Sequence, residues 1–275
     1  SWTAPPDPAA PIDGCPLLPY PPAMTARTFA IGDIHGDRHT LTRLLSRLPP
    51  LEPADTLVFL GDYLDRGPDS AGVVALLRDL PQRTPAKVVT LRGNHEDGWL
   101  RAVRQTWLDF TFPRGNGCLA TLRSYAGTPA EADDTVLPEE LEALHRGLFF
   151  PADVLRWLDA LPFWYEDEHA LYVHAGLVRD AGRWPHPREV SPPEKLLWVR
   201  TRDFFSNYAG KPVVVGHTVT SSLPAELSTW TPEDPTDLWA GPGVTALDTG
   251  CGGGGFLTAL ELPARRVYES RDPPP

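Results

Sequence analysis

Within about 70 residues one construction occurs three times: a short apolar run, a polar loop, then apolar residues at helical spacing. Thr28–Ile31 leads into Gly32-Asp33-Ile34-His35-Gly36-Asp37, followed by Leu41, Leu44, Leu45 and Leu48 up to Pro49-Pro50. Thr56–Leu60 leads into Gly61-Asp62-Tyr63-Leu64-Asp65-Arg66-Gly67, followed by Val73, Val74, Leu76, Leu77 and Leu80, with Pro81 predicting the end of that helix. Lys87–Leu91 leads into Arg92-Gly93-Asn94-His95-Glu96. Strands that alternate with helices in this way predict a largely parallel sheet with right-handed crossovers. All three polar loops then open on one sheet edge, which is where open α/β sheets bind ligands.

Strand signals resume after residue 165. Ala170-Leu171-Tyr172-Val173 runs into His174-Ala175-Gly176, Leu196–Arg200 follows a proline-rich loop, and Lys211–Val215 runs into Gly216-His217-Thr218. Val244–Asp248 runs into Gly250–Gly255, and Phe256–Leu262 with Arg266–Glu269 reads as a closing hairpin. The glycine cluster lacks the lysine of a phosphate-cradling loop and is followed by a strand, so it reads as a wide turn. Residues 97–165 differ: Trp99, Leu100, Val103, Trp107, Leu108, Phe110 and Phe112, then Val154, Leu155, Trp157, Leu158 and Leu161, predict a mostly helical insertion capping the sheet. Residues 1–24 carry eight prolines and neither periodicity, and are expected to be an extended arm. The remaining 25–271 is expected to be one domain.

The net charge of -11 makes the chain a poor general binder of nucleic acid or anionic membrane, so any affinity for phosphate has to be local. Cys15, Cys118 and Cys251 are far apart and odd in number, without a CxxC pair, which indicates neither a zinc knuckle nor a disulfide framework and suits a reducing compartment. With no apolar run of membrane-spanning length and no signal segment, a cytoplasmic protein is expected. Oligomeric state is not legible.

The strand ends collect Asp33, His35, Asp62, Asp65, Arg66, Asn94, His95, His174, Arg200 and His217. Carboxylate, amide and imidazole ligands without thiolates suit manganese, iron or zinc. Asp33, His35 and Asp62 could hold one ion and Asn94, His174 and His217 a second, with Asp62 bridging. Such a pair can clamp a phosphoryl group and turn a shared water into a hydroxide nucleophile. His39, His145, His169 and His186 lack a strand-end context and read as surface or helix residues. Asp37 and Glu96 are expected to hydrogen-bond behind the site, and Asp248 to support it from the last strand.

Asp33-x-His35-Gly36, Gly61-Asp62-x-x-Asp65-Arg66-Gly67 and Gly93-Asn94-His95-Glu96, in this order and roughly 30 residues apart, resemble the signature of the calcineurin-like metallophosphoesterases. More closely, they resemble the phosphoprotein phosphatase branch in its bacterial form. The resemblance covers about Phe29 to Leu262 and implies an α/β fold: a β-sandwich of two mixed sheets flanked by helices, with a helical cap. It implies two divalent ions, manganese first, with iron or zinc as alternatives. Asp33, His35 and Asp62 would bind one, and Asp62, Asn94, His174 and His217 the other. His95 would be the general acid oriented by Asp65, and Arg66, Arg200 and Asn94 would hold the substrate phosphate. Arg202, two residues on from Arg200, competes with it for that role.

The implied activity is hydrolysis of phosphoprotein, at serine or threonine and also at tyrosine. Symmetrical hydrolysis of diadenosine tetraphosphate by a related branch is the alternative. That branch commonly has Ala where this chain has Asp65 and Asp where it has Glu96, whereas the ending Leu247-Asp248-Thr249-Gly250 is shared with it. The eukaryotic C-terminal aromatic loop is absent, and His174-Ala175-Gly176 stands where eukaryotic members carry two glycines. A metal-bound scaffold without activity would require loss of a ligand or of the acid, and each is present.

Overall fold

The computed structural model describes residues 26–111, 116–128, 136–230 and 234–272. The proline-rich arm expected over 1–24 lies outside them. Among the described residues ten strands form two five-stranded mixed sheets, so the single, largely parallel sheet read from the strand–helix rhythm is only half of the architecture; the β-sandwich implied by the family resemblance is the one observed. In the first sheet β1 (Thr28–Ile31), β2 (Thr56–Phe59) and β3 (Lys87–Thr90) run parallel, and β9 (Thr258–Leu262) pairs antiparallel with β1 and with β10 (Arg266–Glu269). In the second sheet β5 (Leu171–Val173), β6 (Val213–Val215) and β8 (Val244–Ala246) are parallel, edged by the antiparallel strands β4 (Trp164–Glu166) and β7 (Trp239–Ala240).

The period-2 alternation of strand side chains builds three apolar layers. Phe29, Ile31, Leu57 and Phe59 face the helices α1 (Arg38–Arg47) and α2 (Ser70–Arg83), which carry Leu41, Leu44, Val73 and Leu77 into the same core. The intervening residues Ala30, Val58 and Leu60 face the second sheet, where Tyr172, Val214 and Leu247 meet them. Leu171, Val173, Val213 and Val215 point away from that interface into the third layer, with Phe204 and Phe205 of α8 (Arg202–Asn207). A central strand buried on both faces has to be apolar throughout, which is why these runs read as continuous. Full burial of each such Phe or Leu contributes about 1.5–3 kcal/mol.

Three expectations are corrected. Pro81 does not end α2: its fixed φ is compatible with a helix, and the chain continues to Arg83 at the cost of one backbone hydrogen bond. Leu196–Arg200 is not a strand. Pro193–Leu197 form a 3-10 turn, because Pro192 and Pro193 cannot donate to a ladder, and Leu196 and Leu197 are buried from that turn instead. The helical insertion begins earlier and ends earlier than 97–165. Its first helix α3 (Asn94–Gln105) already contains the Asn94-His95-Glu96 motif, and Trp164 and Tyr165 belong to β4. The cap continues with α4 (Leu108–Thr111), α5 (Cys118–Ala126), α6 (Pro138–Arg146) and α7 (Ala152–Asp159). Among the described residues no helix is long and apolar enough to cross a membrane.

Candidate metal centre

Each of the six parallel strands delivers polar residues just beyond its C-terminal end: Asp33 and His35 after β1, Asp62 after β2, Asn94 after β3, His174 after β5, His217 after β6 and Asp248 after β8. The two sheets meet at this edge. His174 Nδ1 donates to the Leu60 carbonyl at 2.9 Å, and the His217 amide donates to Asp33 Oδ2 at 2.9 Å, each bond joining one sheet to the other. Tight packing makes the junction: a Cβ at Gly216 would stand 1.9 Å from Asp33 Oδ1, and one at Gly93 would stand 2.2 Å from Asp62 Oδ1. Backbone strain gathers here too. His35, Asp62, Asp65, Arg66 and His217 all take positive φ between 47° and 72°, a conformation that side chains other than glycine adopt only when the surroundings impose it.

Asp62 sits in the middle. Its Oδ2 lies 3.5 Å from His35 Nε2 and 3.9 Å from His95 Nε2, while its Oδ1 lies 3.4 Å from His174 Nε2. Two groups with metal-ligating geometry share it: His35, Asp62 and His95, and Asp62, His174 and His217, the candidate atoms in each lying within 4.8 Å of one another. Asn94 Oδ1 joins the second group, 2.8 Å from His174 Nε2 and 2.7 Å from His217 Nδ1.

The residues fit divalent metal on independent grounds. Asp33 Oδ1, His35 Nε2 and His217 Nε2 are buried without a hydrogen-bond partner among the described residues. Such orphaned polar atoms are costly unless something else satisfies them. With Nδ1–H of His174 donating to Leu60, its Nε2 presents a lone pair toward the lone pairs of Asn94 Oδ1, an arrangement that a cation resolves. Burial holds His35 and His217 well below, and His174 below, the ordinary imidazole value, keeping them neutral as ligands must be. Burial opposes ionisation of Asp62 as well, but His174, His95, His35 and His217 around it hold its carboxyl far down. Burial, with the charges of Asp248 and Asp62, pushes Asp33 well above the carboxylate range, so negative charge is crowded where a cation would relieve it.

His95 is different. Its Nδ1 is 2.6 Å from Asp65 Oδ2, and although burial works against the charge, Asp62 and Asp65 together raise its pKa. Asp65 is fully buried and completely partnered: Oδ1 accepts from Trp99 Nε1 at 2.8 Å and from Thr121 Oγ1 at 2.6 Å. Glu96 accepts amide protons from Gly93, Asp62, Tyr63 and Leu64 and so clamps the Asp62 loop onto the start of α3. Burial and Asp62 push it up to about 7, against the four amides, which favour its charged form. Asp37 caps α1 at Thr40 N, at 2.9 Å. Gly252, in the glycine-rich turn, packs on His35, whose carbonyl oxygen would lie 2.4 Å from a Cβ there.

Arg66 is half-buried and Arg200 exposed, and neither pairs with an acidic side chain among the described residues. Their charges reach the centre: that of Arg66 is felt at Asp33, His35 and His95, that of Arg200 at His174 and His217, and both at Asp248. Arg202 instead opens α8 and pairs with Glu226 at 2.6 Å on the surface. His39 is exposed, His169 bonds the Ala26 carbonyl and His186 pairs with Glu166, all away from the centre. Sequence reasoning missed Trp99 and Thr121. Trp99 stands four residues after His95 on α3, a spacing that puts both on one helix face, whereas nothing in the sequence links Thr121 to Asp65.

A double sheet whose parallel strands bring carboxylates, an amide and imidazoles to one edge is the frame of a metal-dependent hydrolase. The chain belongs to the calcineurin-like phosphoesterase family, which it matches over residues 26–247. It resembles the solved structure of a protein assigned as a diadenosine tetraphosphatase, with 25% identity over 90% of this chain and 94% of that one and a TM-score of 0.55. The cold-active protein-tyrosine phosphatase of a psychrophilic Shewanella species shares the fold at 18% identity, over 89% of this chain and 77% of the other, with a TM-score of 0.53. A protein serine/threonine phosphatase of Saccharomyces cerevisiae shares it at 16% identity, over 91% and 82%, with a TM-score of 0.50.

Proposed function

We propose that this phosphoesterase is a metal-dependent phosphomonoesterase acting on phosphoserine and phosphothreonine in proteins, and on phosphotyrosine as well. The observation that carries the reading is the buried Asp65–His95 pair at 2.6 Å. Asp33, His35 and Asp62 would hold one divalent ion, and Asp62, Asn94, His174 and His217 a second, manganese before iron or zinc. When bound, such a pair activates water for in-line attack and neutralises phosphate charge. His95 is read as the acid and not as a ligand, because an imidazolium has no lone pair to give and Asp62 and Asp65 favour that form. Asp65 fixes the tautomer at Nδ1, leaving Nε2–H to protonate the leaving oxygen as the ester P–O bond breaks. An alkoxide leaving group needs that proton. The guanidiniums of Arg66 and Arg200 would match phosphate oxygens in pairs.

The second reading, symmetrical hydrolysis of diadenosine tetraphosphate, is favoured by the 25% identical structure that covers 94% of its own chain, and by the shared Leu247-Asp248-Thr249-Gly250 ending. Asp65 speaks against it, since the dinucleotide branch commonly has Ala there and so lacks the partner that His95 has here. Parallel kcat/KM measurements on phosphoserine, phosphothreonine and phosphotyrosine peptides and on diadenosine tetraphosphate, with Mn, Co or Zn, decide. We expect the peptides to be preferred. A dinucleotide preference would reverse the substrate assignment, and no turnover with any metal would remove the enzymatic reading.

A further inference from the structure

Asp65 is held largely by the cap. Thr121, fully buried on α5, uses one hydroxyl twice: it donates to Asp65 Oδ1 at 2.6 Å and accepts the Asp65 backbone N–H at 2.8 Å. Ser70 Oγ, 3.0 Å away, completes that hydroxyl. Trp99 on α3 gives the same Oδ1 a second donor at 2.8 Å. The loop before α5 pins the next residue, where the Arg66 amide donates to the Gly117 carbonyl at 3.2 Å. Asp65 and Arg66 both hold positive φ, so this turn needs external support to keep its shape.

Rotation about its Cβ–Cγ bond can turn either oxygen of an aspartate carboxylate toward an imidazole. With Oδ1 saturated by two donors, only Oδ2 remains for His95 Nδ1. A cap that served substrate recognition alone would have no need to hold both the side chain and the backbone of Asp65 through one hydroxyl. We infer that Thr121 is a positioning residue for the Asp65–His95 pair, so that the cap completes the proton-donating half of the centre as well as covering it. The inference rests on the reading of His95 as the general acid.

The test compares Thr121→Val, which keeps the shape and removes the hydroxyl, with Thr121→Ser, which keeps the hydroxyl. In the Val variant the Asp65 amide retains Ser70 Oγ at 3.1 Å, so no backbone donor is orphaned. On a phosphoserine peptide with manganese-loaded enzyme, Thr121→Val lowers kcat by on the order of 10–100-fold while KM and metal content hold and Thr121→Ser restores the rate. On p-nitrophenyl phosphate, whose leaving group departs without a proton, the loss is at least fivefold smaller. In zinc-loaded protein the downfield proton resonance of the His95–Asp65 hydrogen bond is present in wild type and Thr121→Ser and displaced or lost in Thr121→Val. If Thr121→Val does not fold, Thr121→Ala is read by the same measurements. Equal losses on the two substrates, an effect on KM alone, failure of Ser to rescue, or an unmoved resonance overturns the inference. Absence of any phosphoester turnover in wild type overturns the proposed function, and the resonance still decides the positioning role.

Discussion

Asp62 divides the centre into two halves that are finished in different ways. Toward Asp65 and His95 the polar atoms are met by protein: Trp99 and Thr121 on one carboxylate oxygen, His95 on the other, Ser70 and Thr121 on the backbone amide. Toward Asp33, His35 and His217 three buried ligand-type atoms are left without a partner among the described residues. Burial is equally deep on both sides, so depth does not distinguish them. Satisfaction does. A half that the protein completes can hold and release a proton at a set position, because its hydrogen bonds are fixed by the chain's own donors, the Cys118 thiol 3.8 Å from Asp65 Oδ2 among them. A half left incomplete is shaped for a charge that the chain does not supply.

Four substitutions test this contrast, from the largest expected effect to the smallest. Asp62→Asn touches both halves. It should weaken both metal sites and lower turnover roughly 10³-fold or more, as measured by metal analysis and kcat. Two tightly held ions per chain in that variant would refute the bridging role. His95→Asn touches only the finished half, so kcat should fall about 10²–10⁴-fold while metal content stays at the wild-type level. Parallel loss of metal and rate would make His95 a ligand. Gly216→Ala touches only the open half, by driving a methyl into Asp33, whose Oδ1 stands 1.9 Å from the new Cβ. Metal affinity should drop about 10–100-fold, and kcat at saturating metal should recover to near wild type.

The last substitution moves the contrast away from the site. Asp55 at the N-terminal end of β2 is a finished carboxylate with no proton to pass and no metal to hold: Arg27 grips it with two nitrogens, and the Glu52 amide donates to it at 2.8 Å. Burial works against its charge, but these partners hold its carboxyl below the ordinary 3.8. The native state therefore binds fewer protons than the unfolded one near that pH. The contribution is fully present above the ordinary value and is lost as pH falls through the depressed native value. Asp55→Asn should cost roughly 1–2 kcal/mol in urea unfolding at pH 7, lose that difference progressively as pH falls below the ordinary 3.8, and leave kcat unchanged. A stability difference that did not shrink as the pH fell would mean that packing, not the ion pair, is what was removed.

How much of this was legible in the sequence differs residue by residue. Asp33, His35, Asp62, Asn94, His174 and His217 each lie one to four residues beyond a run that reads as a strand, so strand recognition alone places them at an edge. Asp65 and Arg66 come with them on the same glycine-bounded loop. Arg200 was placed through a strand that does not exist, although its charge does reach His174 and His217. That Arg202 opens α8 and pairs with Glu226, unlike Arg200, is not legible from the two-residue spacing between them. The Asp33–His217 contact joins residues 184 apart in sequence, and no local pattern encodes a separation of that size.

The sequence by itself determined which residue types stand at the strand ends, because two-residue alternation, glycine-bounded loops and helical spacing are local properties of a chain. It also determined that the chain carries oxygen and nitrogen ligands without thiolates. Only the tertiary structure decided that two sheets, rather than one, bring those ends together. It decided too that Asp62 turns one oxygen to each group of imidazoles, and that a threonine from the cap holds Asp65 from 56 residues away. Those outcomes depend on how separate elements stack once their apolar faces are buried, and stacking is a property of the assembled core that no window of sequence contains.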